Sequence, residues 1–171
     1  MEMMDKALIH ATDNFVKAGY PRDAESMLIV ELDGTASEVE ELIERIVKIA
    51  KKNKSSSIKI SKNEKQRLKF WAGRKAAFPA CGDMAPDYYC MDGTIPRGKL
   101  SQVLKEIGRL SKKYNLPVAN AFHAGDGNLH PLIMYDANEK DSLEKTEKFG
   151  ADILKYCVKI GGVLTGEHGV G

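Results

Sequence analysis

At 171 residues, with ordinary apolar content and 26 basic residues against 24 acidic ones, the chain is long enough for one domain with a sizeable core. A formal charge of +2 argues against a disordered protein or a generic nucleic-acid binder. Cys81, Cys90 and Cys157 form no C-x-x-C pair, and no apolar run approaches the ~20 residues of a membrane span, so a cytoplasmic setting without disulfides is expected.

Met1 to Tyr20 reads as one helix, with Met4, Ala7, Leu8, Ala11, Phe15 and Val16 as its apolar stripe and Gly19 as its stop. Ser26 to Leu32 reads as a buried strand closed by Asp33-Gly34. Thr35 then caps a second helix, with Glu38 completing a capping box and Val39, Leu42, Ile43, Ile46, Val47 and Ala50 along one face. Ser55 to Ile60 reads as a short strand. A third helix begins at Ser61 or Asn63 and runs toward Phe78, where Pro79 should end it. From Arg45 to Lys75 twelve residues are basic and one, Glu64, is acidic, which is either a solvated surface or a face for an acidic partner.

Cys81 to Asp87 reads as loop, and Tyr88 to Ile95 as a strand weakened by Gly93. Pro96 opens a helix through Val103, Leu104, Ile107 and Leu110 to Tyr114. A hairpin is expected next, and then a helix from about Glu139 to Lys159, stopped by Gly161-Gly162. This order predicts an α+β domain, ferredoxin-like, with an antiparallel or mixed sheet and helices packed on one face.

Three of the four histidines lie in VANAFHAGDGNLHPLIMY (Val118 to Tyr135) and GGVLTGEHGVG (Gly161 to Gly171). Asp126-Gly127 is a strong type I′ turn signal. A turn centred there pairs Gly125 with Asn128, Ala124 with Leu129 and His123 with His130. Directly opposed residues have Cβ atoms roughly 4.5–5.5 Å apart, so the two imidazoles can converge on one metal ion. Glu167 or His168 can add a further ligand. Asp126 and Asn128 read as turn-formers, and Arg74 as either a surface ion-pair partner or a carboxylate clamp. No G-x-G-x-x-G, G-x-S-x-G or P-loop motif occurs.

At NAFHAGDGNLHP and GGVLTGEHGVG, and again at GYPRDAESMLIVELDG, FWAGRKAAFPA and PDYYCMDGTIPR, the sequence resembles the FAD-linked oxidase C-terminal domain of vanillyl-alcohol-oxidase-type flavoproteins. Within that family it is most similar to the branch holding glycolate oxidase FAD-binding subunits and D-lactate dehydrogenases. The resemblance implies a substrate cap over a flavin, with oxidation of a small 2-hydroxy acid to the 2-oxo acid and hydride transfer to FAD. It implies divalent-metal ligands (Zn or Mn) at His123, His130 and Glu167, a base at His168 and a substrate-carboxylate binder at Arg74. It also implies that residues 1–171 are a piece: the FAD-binding domain and a final C-terminal segment lie outside it, so the isolated piece should be inactive. Partners would be that FAD domain and, in glycolate oxidase-like systems, iron-sulfur and other subunits at the membrane periphery, with no nucleic acid. The competing reading is a non-catalytic ferredoxin-like module that binds an acidic partner through the basic face.

Overall fold

The computed structural model describes residues 1–169; the last two residues of the GGVLTGEHGVG motif lie outside the described part. The chain is α+β, as expected, and among the described residues its sheet has seven strands, all paired antiparallel. In chain order the elements are β1 (Glu2–Asp5), α1 (Lys6–Val16), β2 (Ser26–Ile29), α2 (Ala36–Lys52), α3 (Glu64–Lys75), α4 (Ala77–Ala80), β3 (Asp87–Cys90), β4 (Gly93–Thr94), α5 (Leu100–Tyr114), β5 (Val118–His123), β6 (Asn128–Tyr135), α6 (Ser142–Lys159) and β7 (Val163–Leu164). Single 3-10 turns cover Cys81–Asp83 and Arg97–Lys99. The strand order is β2-β1-β5-β6-β4-β7, with β3 also on β6.

Helices cover both faces of this sheet, not the one face expected from sequence. Alternation along the strands divides the core. Met3, Phe122, Leu129 and Ile133 pack with Val103, Ile107 and Leu110 of α5 and Phe149 and Ile153 of α6. Met4, Ala119, Ala121, Leu132 and Met134 face the other way, against Leu8 and Ile9 of α1 and Ala77 of α4.

The first expected helix is in fact a strand and a helix. Asp5 divides them: its side chain accepts from the Leu8 amide at 3.0 Å, which caps α1 and lets Glu2–Asp5 pair with both β2 and β5. The second strand is shorter than expected and lies at the sheet edge with Leu28 exposed, so it is not buried. Ser55–Ile60 has no ladder partner and is not a strand; Ile60 is exposed. The Thr35–Glu38 capping box forms as predicted, yet α2 buries no residue fully and its apolar stripe is only half-covered. Pro79 falls inside the first turn of α4, where a missing amide costs no helical bond, so it does not end the pattern. The final helix begins at Ser142, three residues later than expected.

Candidate metal centre

The hairpin differs in register from the sequence expectation. His123 faces Asn128, Phe122 faces Leu129 and Ala121 faces His130, so Ala124 to Gly127 form a four-residue loop. Gly127 sits at φ +77°, and a Cβ there would lie 2.1 Å from the Ile95 carbonyl oxygen. Its own carbonyl accepts from the Ile95 amide, which fastens the loop to the segment after β4. The slip is two residues, and strand side chains alternate with period two, so both histidines keep the same face. They are diagonal neighbours, with ring centroids 5.0 Å apart and planes nearly perpendicular.

Each imidazole is held by its Nδ1. The His123 Nδ1 lies 2.9 Å from a Glu2 carboxylate oxygen, and the His130 Nδ1 donates to Asp92 at 2.7 Å. That leaves both Nε2 atoms turned toward Glu167, at 3.7 Å from His123 and 3.6 Å from His130. Asn128 donates its amide to the same carboxylate. His130 is 1% exposed, and its Nε2 has no hydrogen-bond partner among the described residues. A buried ring nitrogen left bare costs free energy unless something accepts its lone pair. One ligand atom from each of His123, His130 and Glu167 lies within 4.8 Å of the others. Two imidazoles and a carboxylate suit Zn or Mn, and Nδ1 contacts to carboxylates fix the tautomer a metal ligand needs. The residues fit a divalent cation. Burial, partly opposed by the Asp92 hydrogen bond, holds the His130 pKa below its ordinary value, which favours the neutral, ligating form.

Asp92 owes its place to the β3–β4 edge. Cys90 faces Leu132 and Gly93 faces Leu129, so Met91 and Asp92 fall opposite Pro131 and His130 without a change of register. The ladder lapses there, beside a proline with no amide to give. Asp92 is 4% exposed, and besides His130 it accepts from the His168 amide at 2.6 Å. Its backbone carbonyl accepts from Thr165, so one residue anchors the closing loop twice. β7 pairs with β4 and delivers that loop, setting the His168 ring in a stack on His130 at 4.4 Å and edge-on to Phe78 at 5.1 Å.

Arg74 lies on the same face. The Tyr20 hydroxyl donates to the Phe70 carbonyl and accepts from the Gly73 amide, and a Cβ on Gly73 would meet the Tyr20 ring at 2.1 Å. This close approach of α3 presents the next residue, Arg74, to Glu2, with guanidinium contacts of 2.8 and 3.0 Å. Glu2 therefore joins Arg74 to His123. All five residues singled out from sequence come together. Sequence reasoning missed Glu2, Asp92 and Cys90, and read Asn128 only as a turn-former.

Comparison with known proteins gives the family of the chain. The family model described as "FAD linked oxidases, C-terminal domain" matches residues 1–171. Over 171 residues the chain is 53% identical to the glycolate oxidase subunit GlcD of Escherichia coli (strain K12), covering 100% of this chain and 34% of that protein. The GlcD subunit of Bacillus subtilis (strain 168) is 33% identical, with 100% of this chain and 36% of that protein covered. A probable mitochondrial D-lactate dehydrogenase of Danio rerio is 28% identical over 173 residues, covering 100% of this chain and 34% of its own. The chain spans about a third of the length of these relatives. With the family model matched from end to end, it belongs to the C-terminal domain family of the FAD-linked oxidases.

Proposed function

We propose that this chain is the substrate cap of a flavin-dependent 2-hydroxy-acid dehydrogenase of the glycolate or D-lactate type, which oxidises the acid to its 2-oxo product. One observation carries the reading: the Nε2 atoms of His123 and His130 converge on Glu167 while carboxylates hold their Nδ1 atoms. The similarity to a glycolate oxidase subunit and to a probable D-lactate dehydrogenase supports the substrate class. In the whole protein an FAD-binding domain would face this cap, and iron-sulfur partner subunits would take the electrons onward.

His123, His130 and Glu167 would hold the divalent ion, Zn²⁺ or Mn²⁺. When bound, such an ion lowers the pKa of a coordinated hydroxyl, and FAD is the acceptor for the hydride of the α-carbon. The chain's own residues supply the rest. His168 takes the hydroxyl proton as general base. Its Nδ1 faces Cys90 and Asp92, which leaves Nε2 as the atom that receives the proton. Arg74 binds the substrate carboxylate, and an incoming acid competes with Glu2 for the guanidinium fork. Phe78 walls one side of His168 against water.

The test is a calorimetric titration of the chelator-stripped chain with Mn²⁺, which prefers oxygen and imidazole donors to thiolate. One equivalent should bind, and both His123→Ala and His130→Ala should abolish it. If either variant still binds Mn²⁺ as the parent chain does, the metal assignment is wrong.

A further inference from the structure

A second group of ligating atoms lies on the other side of the His130 ring. Cys90, Asp92, His130 and His168 each offer one atom within 4.8 Å of the others. Three of these residues are not ligands of the first site, though Asp92 orients His130 there. The Cys90 Sγ is 3.3 Å from the His168 Nδ1, the His168 Nδ1 is 3.5 Å from the Asp92 Oδ1, and the Asp92 Oδ1 is 4.0 Å from the Cys90 Sγ. Zinc bonds of about 2.3 Å to sulfur and about 2.0–2.2 Å to nitrogen or oxygen, at tetrahedral angles, place their donor atoms about 3.3–3.6 Å apart. The triangle already has that size to within about half an ångström. We propose that Cys90, Asp92 and His168 form a second metal site, specific for a borderline or soft divalent cation such as Zn²⁺, whose occupation silences His168.

The chemistry selects the ion. A thiolate donor favours Zn²⁺, Co²⁺ or Cd²⁺ over Mn²⁺ and Mg²⁺. The first site, with two imidazoles and a carboxylate, has no sulfur donor and distinguishes these ions less sharply, so the two sites differ in preference though they lie within one cluster. Three protein donors leave a fourth position for water, the arrangement of an open site and not of a closed structural one. Binding expels one proton, from the Cys90 Sγ, and the sulfur–metal bond replaces the S–H bond with no change of oxidation state. Glu167 and Asp92 concentrate negative charge around the three histidines, which favours capture of that cation.

The functional consequence follows from ring chemistry. An ion on the His168 Nδ1 makes the Nε2 carry the ring's proton, and a nitrogen that already holds a proton cannot take one from a substrate. That consequence rests on the reading of His168 as the base; the site itself does not.

Cobalt separates the two ideas because a thiolate on Co²⁺ gives a charge-transfer absorption in the near ultraviolet, whereas nitrogen and oxygen donors do not. The 171-residue chain, stripped of metal, should bind two equivalents of Co²⁺, with the absorption growing in alongside the thiolate-bound one. Cys90→Ser and His168→Ala should each lose the absorption and bind one equivalent. His123→Ala should keep the absorption and lose the other equivalent. His168 lies on an exposed loop, so its truncation leaves the core intact and keeps the test meaningful if Cys90→Ser misfolds. No charge-transfer absorption at saturating Co²⁺, or one that survives in Cys90→Ser and so arises from Cys81 or Cys157, overturns the second site. A chain whose Co²⁺ stoichiometry ignores His123→Ala overturns the first site instead and leaves this one standing.

Discussion

The two faces of the sheet are built from the same strands and buried to the same depth, yet they do opposite things. Strand β6 sends Leu129 and Ile133 into the α5–α6 layer, where Phe149 stacks on Tyr114 with ring centroids 5.4 Å apart. It sends His130, Leu132 and Met134 to the other face, and there the apolar run stops at a histidine. On the α5–α6 face burial removes apolar surface from water and stabilises the domain. On the other face burial shapes chemistry: it favours the neutral form of His130 and leaves its Nε2 without a partner among the described residues.

Breaking one face without touching the other tests that division. The largest effect is expected for Phe149→Ala, which empties a fully buried position and should cost about 3–5 kcal/mol in denaturant unfolding. Mn²⁺ affinity should stay at the parent value; if it falls in step with stability, the faces are coupled and the division fails. Asp92→Asn comes next. It weakens the acceptor behind His130 and the anchor of the His168 amide, so Mn²⁺ affinity should drop about 10–100-fold. The melting temperature should move far less than in Phe149→Ala, and a melting loss as large would mark Asp92 as mainly structural.

The smallest effect sharpens the comparison from the α5–α6 side, where Asp5 and Asn120 set a polar pair into the layer. The Asn120 amide donates to Asp5 at 2.6 Å, while its carbonyl oxygen has no partner among the described residues. Burial raises the Asp5 pKa above 3.8, against the pull of its hydrogen bonds. The folded chain thus holds that proton more tightly than the unfolded one. Asp5 contributes stability that is fully present below about 3.8 and lost as pH rises through the raised value. Asparagine caps a helix as well as aspartate does, and once the Asn120 amide flips it brings a donor for that carbonyl. Asp5→Asn should therefore gain melting temperature relative to the parent chain as pH climbs through that interval, by under about 1 kcal/mol in stability. Parallel melting curves at every pH would contradict the shift.

Helices were legible in the sequence because their signals are local. Thr35 and Glu38 are three residues apart, and Val103, Ile107 and Leu110 mark a buried face by spacing alone. The histidine pair was legible for the same reason, and it survived an error in register because a slip of two preserves the face. Glu2 and Asp92 were not legible: their partners are 121 and 38 residues away, and only the strand order brings them together. The strand β1 was read as helix because four residues, with Met3 and Met4 buried on opposite faces, are too few to reveal a period of two. The α-helical cap at Asp5 was the signal that could have separated them. Ser55–Ile60 shows the converse. Ile58 and Ile60 alternate as a strand would, but alternation without a neighbour to pair with leaves a loop.

The place of β1 in the sheet bears on how the chain is made. It lies between β2 and β5, and its contacts with β5 span most of the polypeptide. A ribosome releases β1, α1 and β2 long before β5 and β6 exist, so one edge of β1 waits unpaired with Met3 and Met4 uncovered. Long-range pairing of this kind folds slowly, and an open edge is the kind of surface that chaperones and other nascent chains find first. Glu2 belongs to that waiting strand. The histidine cluster therefore gains this carboxylate only when the two halves of the sheet close, and metal capture reports on the completed fold.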